Sequence, residues 1–197
     1  MYKKQLKIQK FICLVCIIAA ALTFVYSLGM ITDIQEALRS TMRNPMKPEQ
    51  TKVEGSWIYY DMQDFNRSYV NYGIVLILLA CLLYIMNTHT RRKYYITNYV
   101  SVAAFSIGTL AVNVWALMQI SAFRHQFLTT VNFEQLKEYA EMWNSPYIDS
   151  TFWFDLGYVV AALSILAVAA LIGNTIWKVK LMNAENALIK AGEEVAA

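Results

Sequence analysis

The chain has 197 residues, of which 57% are hydrophobic, and its formal net charge is only +3. This small charge gives no support to nucleic-acid binding, and the hydrophobic share exceeds that of an ordinary soluble domain. The apolar residues fall in four long segments, so the composition indicates an integral membrane protein.

Each apolar segment is close to the roughly 17–25 residues that a membrane-spanning helix needs. The segments cover residues 9–31, 69–87, 95–121 and 156–177. We therefore predict an all-α integral membrane protein built as a four-transmembrane-helix bundle. Residues 1–197 are expected to form a single membrane domain, with long loops at 32–68 and 122–155 and a tail at 178–197.

Positive charge clusters at the N-terminus and in the short link between the second and third segments. The basic residues there are Lys3, Lys4, Lys7, Lys10, Arg91, Arg92 and Lys93. Both long loops hold more acidic than basic groups. By the positive-inside rule, we expect both termini in the cytoplasm and both long loops on the extracytoplasmic side. The chain is expected to be a multi-pass protein of the cell membrane, and the bacterial cytoplasmic membrane is favoured over others.

The start of the chain permits a second interpretation. A basic N-terminus, an apolar stretch and the small residues Ala19, Ala20 and Ala21 are typical of a cleaved signal peptide. However, the apolar run continues as far as Ile31, which favours a retained anchor helix.

The first segment also contains two cysteines at the C-x-x-C spacing of thiol oxidoreductases, Cys13 and Cys16. Such a redox pair needs a polar and accessible setting, whereas these two lie in an uninterrupted apolar run. We interpret them as packing residues and keep a membrane thiol oxidoreductase as a second alternative function.

Each long loop contains a helical pattern of apolar residues. In the first loop Ile34, Leu38 and Met42 recur at helical spacing until Asn44-Pro45 and Lys47-Pro48 break the pattern. In the second loop, Asn132 can cap a helix whose apolar side is marked by Phe133, Leu136, Ala140 and Trp143. We predict two short amphipathic helices on the extracytoplasmic side, the second ending at Asn144-Ser145-Pro146.

Aromatic residues accumulate where the chain re-enters its second and fourth segments. The candidates for the outer surface are Trp57, Tyr59, Tyr60, Trp143 and Trp153. Tyr and Trp concentrate where lipid meets water, so the favoured interpretation is an interfacial belt. A ligand-binding or partner-binding surface is the alternative.

Two segments carry rows of small residues that let helices approach closely. The helix-packing candidates are Ser101, Ala104, Gly108 and Ala111 in the third segment, and Gly157, Ala161 and Ser164 in the fourth. A second face of the third segment is mildly polar, with Ser106, Thr109 and Asn113. Asn113 is the deepest strongly polar side chain, and it is expected either to bond to another helix or to line a pathway.

The two halves of the chain resemble each other in order and in some residues. Residues 25–28 align with 114–117, Trp57 with Trp143, and Gly73 with Gly157. This pattern raises the hypothesis of two tandem helical hairpins related by an axis along the membrane normal.

Catalytic and transport signatures are missing from the sequence. The four segments have no acid, base or histidine in their interiors, and we find no nucleophile–base pair, metal cluster or nucleotide motif. We therefore expect no enzyme activity and no cofactor. The predicted function is a non-enzymatic accessory or scaffold subunit that contacts the lipid bilayer and other membrane protein subunits, with a multi-subunit transporter as host. The first alternative is a small homo-oligomeric channel or exporter for an uncharged solute, lined by Ser106, Thr109 and Asn113.

Overall fold

The computed structural model describes residues 2–29, 33–42, 51–89 and 93–196. The described residues form six helices and no β-strand. The helices are α1 (Tyr2–Gly29), α2 (Asp33–Ser40), α3 (Ile58–Thr88), α4 (Ile96–Thr130), α5 (Phe133–Trp143) and α6 (Phe152–Ala196). Of these, α1, α3, α4 and α6 are long and apolar enough to cross a membrane. The predictions of an all-helical chain and of four potential membrane spans are therefore confirmed.

The four long helices form a closed ring of neighbours. Helix α1 packs against α3 and α6, and α4 packs against the same two helices. Because the chain reverses direction at each link, α2 and α5 lie at one end of the bundle, which we call the cap end. The start of α1, residues 89 and 93–95 and the last turns of α6 lie at the opposite end, which we call the tail end.

The long helices extend beyond the apolar segments of the sequence. Helix α3 starts at Ile58, eleven residues before the predicted start of its apolar segment at residue 69. Over these added turns Met62 and Phe65 are buried while Asp61 and Asp64 are exposed. An amphipathic stretch thus continues the helix, and a count of consecutive apolar residues does not detect it.

In each long loop, a short helix lies where the apolar residues recur at helical spacing. Helix α2 ends at Ser40, because the Ser40 and Thr41 hydroxyls donate to the Ala37 and Leu38 carbonyl oxygens at 2.7 Å each. Met42 therefore lies outside α2 and pairs with Thr51 in an isolated β-bridge. The predicted breaks at Asn44-Pro45 and Lys47-Pro48, and the basic residues Arg91 and Arg92, lie outside the described residues.

Helix α5 has defined signals at both ends. The Asn132 side chain accepts a hydrogen bond from the Gln135 backbone N–H at 3.1 Å, which satisfies a free donor of the first turn. Asn144 adopts a left-handed conformation with φ of 48° and donates its N–H to the Ala140 carbonyl, which ends the helix.

The buried core divides into two hydrophobic clusters along the bundle. The cluster at the cap end is rich in large aromatic residues, including Tyr69, Phe127 and Phe154, and it also contains Ile34 and Leu38 of α2. The cluster toward the tail end combines large residues such as Phe105 with several small ones, among them Cys16, Ala20 and Ala80. The aromatic cluster thus anchors the cap to the long helices.

Candidate functional site

Hydrogen bonds join the two connecting segments at the cap end into one unit. The Asn132 N–H donates to the Glu54 carbonyl at 3.1 Å, and the Glu54 N–H donates to Gln135 Oε1 at 3.2 Å. The Tyr139 hydroxyl of α5 donates to the Ser40 carbonyl at the end of α2, at 2.9 Å. We call residues 33–42, 51–57 and 132–143 together the cap.

Two further contacts hold segment 51–57 in place. Lys52 Nζ lies 5.0 Å from the ring centres of both Tyr139 and Trp143, within the range of a cation–π interaction. Gly55 has a φ of 80° and packs directly against the backbone of Thr130 and Val131. Only glycine fits there, since any other residue would carry a Cβ into that backbone. The cap is therefore a packed structure.

A polar groove of about 580 Å³ lies between α2, which belongs to the cap, and α3. Its lining includes three charged side chains, namely Glu36 and Arg39 of α2 and Arg67 of α3. The remaining lining residues are Leu28, Gln35, Tyr59, Gln63, Asn66, Val70 and Asn71. The α3 members recur at helical spacing, so a single face of α3 forms one wall of the groove. The volume is in the range of small-molecule sites.

Two buried amides in the groove lack hydrogen-bond partners. Gln35 is 5% exposed and Asn66 is 3% exposed, yet neither Gln35 Nε2 nor Asn66 Oδ1 has a partner in the described structure. An unpaired buried polar atom costs about 1–3 kcal/mol. The groove thus presents two cationic groups and one anionic group, while these two amide atoms are closed off from solvent.

Helix α4 turns its polar face, not its row of small residues, into the bundle. Asn113 is fully buried, and its Nδ2 donates to the Thr109 carbonyl of the same helix at 2.8 Å. Ser106 and Thr109 are buried as well, and Ser106 Oγ, Thr109 Oγ1 and Asn113 Oδ1 have no partner in the described structure. Among the described residues, Asn113 makes no hydrogen bond to another helix.

The row of small residues on α4 lies at the edge of the bundle. Ser101 is buried and accepts a hydrogen bond from Asn87 Nδ2 at 2.8 Å, Ala104 and Gly108 are half-buried, and Ala111 is exposed. Gly108 faces leucine side chains of α3, not a helix backbone. Because close approach of backbones is the reason for such a row, the structure leaves most of this row without that kind of contact.

The corresponding residues of α6 contact other helices. Gly157, Ala161 and Ser164 are all buried. Ser164 Oγ lies 3.3 Å from Thr23 Oγ1 of α1, and Gly157 lies against the Tyr26 ring. The Tyr26 hydroxyl donates to the Trp153 carbonyl at 2.9 Å. These small residues therefore position α1 against α6 within the chain.

The aromatic candidates occupy different environments. Trp57 and Trp143 are exposed, Tyr60 and Trp153 are half-buried, and Tyr59 is buried in the cap-end cluster. Trp143 is 61% exposed and the neighbouring Met142 is 74% exposed, although both belong to the short helix α5. The end of α5 is therefore an apolar projection of the cap.

A buried polar cluster at the tail end was not predicted from the sequence. Gln5 Nε2 donates to Gln9 Oε1 at 3.1 Å, and Asn174 Nδ2 donates to the same oxygen. Lys178, which we had assigned to the tail, is fully buried, and its Nζ lies 5.5 Å from the centre of the Tyr94 ring. Burial raises the pKa of Tyr94 above its ordinary value.

Other polar residues of the candidate sites were also not predicted from the sequence. Gln35 lies in the first predicted amphipathic helix, whereas Asn66 and Arg67 lie in a stretch predicted as loop, so their convergence on a groove was not visible. A signal was present, because Gln63, Asn66, Arg67 and Val70 continue the helical spacing of the second apolar segment toward its N-terminus. Gln5 and Gln9, four residues apart among lysines, give a similar hint of a polar helix face.

No group of three or more His, Cys, Asp or Glu side chains suited to a metal ion occurs within the described ranges. Cys13 and Cys16 are both fully buried, whereas a redox thiol must be accessible.

Comparison with protein-family models, with curated proteins and with solved structures gave no match. The structure therefore shows an all-helical protein with four potential membrane spans, a packed cap and a polar groove.

Proposed function

We propose that this chain is a non-enzymatic accessory subunit of a larger membrane complex, with a multi-subunit transporter as the natural host. The four long helices lie in the cell membrane, and the bacterial cytoplasmic membrane is favoured. Both termini lie in the cytoplasm, because Lys3, Lys4, Lys7 and Lys10 are at the tail end and the positive-inside rule places such clusters inside. The cap, including α2 and α5, then lies on the extracytoplasmic side.

One observation carries the proposal: the cap is packed and yet exposes large apolar side chains. Hydrogen bonds between segment 51–57 and α5 fix its shape. Trp143 and Met142 project from it at 61% and 74% exposure. Exposed Trp and Met on a preorganised surface are typical of protein–protein contact sites.

The test is purification at native expression levels in a mild detergent, followed by sizing and mass spectrometry. We expect the chain to elute with a larger membrane protein. The double variant Met142→Ser/Trp143→Ser should lose this partner while keeping its helix content. Leu188→Ser is the matched control, because Leu188 is equally exposed but lies on the tail end of α6. A chain that elutes alone, or only with itself, would contradict the proposal.

A specific observation favours a second candidate, a small homo-oligomeric channel or exporter for an uncharged solute. Three adjacent oxygens inside the bundle, on Ser106, Thr109 and Asn113, have no partner within the described structure. Such groups can bond to water or a polar solute in a pathway. Purified protein in liposomes should then move a small uncharged solute, and Asn113→Leu should slow that movement. Absence of flux in both proteins would remove this candidate.

A further inference from the structure

The groove between α2 and α3 combines charges of both signs. Arg39 and Arg67 are exposed at its lining, and Glu36 lies one helical turn before Arg39 on α2. None of the described ion pairs involves these three residues. Guanidinium groups match the geometry of phosphate oxygens, whereas a carboxylate accepts hydrogen bonds from an ammonium group.

These three exposed side chains provide guanidinium donors and a carboxylate acceptor on the same groove. The groove therefore suits a ligand that has an anionic and a cationic end.

The position of the groove indicates the source of such a ligand. Leu28, at the cap end of α1, belongs to its lining and is 41% exposed. Exposed Val25 and Leu22 follow at three-residue intervals along α1, so exposed apolar side chains continue from the groove along a potential membrane span while turning gradually around the helix. A ligand with a charged head and long apolar chains fits both surfaces at once.

We propose that this groove binds the headgroup of a phospholipid whose phosphate is linked to a primary ammonium group, as in phosphatidylethanolamine. Arg39 and Arg67 hold the phosphate, Glu36 holds the ammonium group, and the acyl chains follow α1 past Leu28. The inference rests on the membrane placement under the proposed function, but not on a protein partner.

The experiment is lipid titration of the purified, delipidated chain, followed by native mass spectrometry. Phosphatidylethanolamine, phosphatidylglycerol and phosphatidylcholine with identical acyl chains are compared. We expect phosphatidylethanolamine to bind most tightly. Arg39→Gln/Arg67→Gln should weaken all three lipids about tenfold, because both phosphate contacts are lost. Arg124→Gln is the matched control, since Arg124 is exposed at the cap end but lies outside the groove, and it should change nothing.

Glu36→Gln tests headgroup selectivity separately from phosphate binding. This exposed carboxylate should contribute about a two- to fivefold preference for phosphatidylethanolamine over phosphatidylglycerol, and the variant should lose that preference. Because Glu36, Arg39 and Arg67 are all exposed, the variants should fold as the wild type does, which circular dichroism checks. Equal binding of the three lipids by the wild type would overturn the proposal, as would wild-type affinity in the double arginine variant.

A second arm separates a lipid from a water-soluble ligand of the same chemistry. The chain in phosphatidylcholine nanodiscs is titrated with glycerophosphoethanolamine and with inorganic phosphate. Weak or undetectable binding of both supports a lipid headgroup, because the acyl chains are then required. If glycerophosphoethanolamine binds as tightly as the lipid, or if inorganic phosphate alone does so, the lipid assignment is wrong. All these measurements use the isolated chain, so their failure is distinct from the failure to find a protein partner.

Discussion

Substitution of Gly55 by alanine should open the cap while leaving the bundle folded. Gly55 has a φ of 80°, and a Cβ at this position would overlap the Thr130 carbonyl and lie 2.7 Å from the Val131 Cα. These neighbours are backbone atoms at the end of α4, so a side-chain rotation cannot relieve the overlap. Segment 51–57 must therefore move away from α4.

The free-energy cost of Gly55→Ala can be estimated from the contacts that this movement breaks. A non-glycine residue at such a φ costs about 1–2 kcal/mol. The two hydrogen bonds of Glu54, at 3.1 and 3.2 Å, contribute about 1 kcal/mol each. A total of roughly 3 kcal/mol corresponds to an increase of about 100-fold in the population of the open cap.

Limited proteolysis with trypsin measures this opening. Lys52 is exposed within the affected segment, and Lys180 on α6 serves as an internal reference. We expect cleavage after Lys52 to accelerate by up to two orders of magnitude, with no change after Lys180. Gly173→Ala is the matched control, because a Cβ there meets nothing within 4 Å. In a helix interior this change should stabilise by about 1 kcal/mol. If Gly55→Ala and the wild type are cleaved at the same rate, the reasoning about the cap is wrong.

Three further predictions concern stability. Gly157→Ala should destabilise the bundle by about 1–3 kcal/mol, since its Cβ would lie 2.8 Å from Tyr26 Cζ and 2.9 Å from Ile120 Cδ1. In thermal unfolding, Gly157→Ala should cost less in a Tyr26→Phe background than in the wild type, because the hydroxyl that the Cβ meets is then absent. An equal cost in the two backgrounds would argue against this contact. Asn132→Ala should cost about 1 kcal/mol through loss of the α5 cap, visible as faster amide exchange in α5 alone. Arg124→Gln should cost less than about 1 kcal/mol, because its 3.2 Å ion pair with Asp155 is exposed, and added salt should reduce even that difference.

The helical architecture could be predicted from the sequence because apolar length is a strong and local signal. Each of the four apolar segments corresponds to one of α1, α3, α4 and α6. The ends of the helices were harder to predict. Helix α3 extends toward its N-terminus through the exposed residues Asp61 and Asp64, because the opposite face of this stretch is buried. Hydropathy measures how apolar a stretch is on average. A helix can extend beyond the apolar stretch when only one of its faces is buried.

The orientation of each helix about its own axis could not be derived from the sequence. Helix α4 has a small-residue face and a polar face, and both are reasonable inner faces for a membrane helix. The structure buries the face of Ser106, Thr109 and Asn113 and leaves Ala111 exposed. Which face of α4 is buried depends on the side chains that α3 and α6 turn toward it. Those side chains are determined by the packing of all four long helices.

The groove could not be predicted from the sequence, for a related reason. Gln35 and Asn66 are 31 positions apart, and no sequence pattern links them. They converge only because α2 folds back and buries Ile34 and Leu38 against the long helices.

The groove and the cap depend on each other, which links the two proposals. Helix α2 has only eight residues, too few to be stable alone in water. It is held by the burial of Ile34 and Leu38 and by the Tyr139 hydrogen bond to Ser40 at its end. Because α2 supplies Glu36 and Arg39 to the groove, loosening α5 should also weaken ligand binding there. By thermodynamic reciprocity, a headgroup in the groove should stabilise the cap and the surface around Trp143. A lipid in this groove would therefore favour the shape that the accessory-subunit proposal assigns to partner binding.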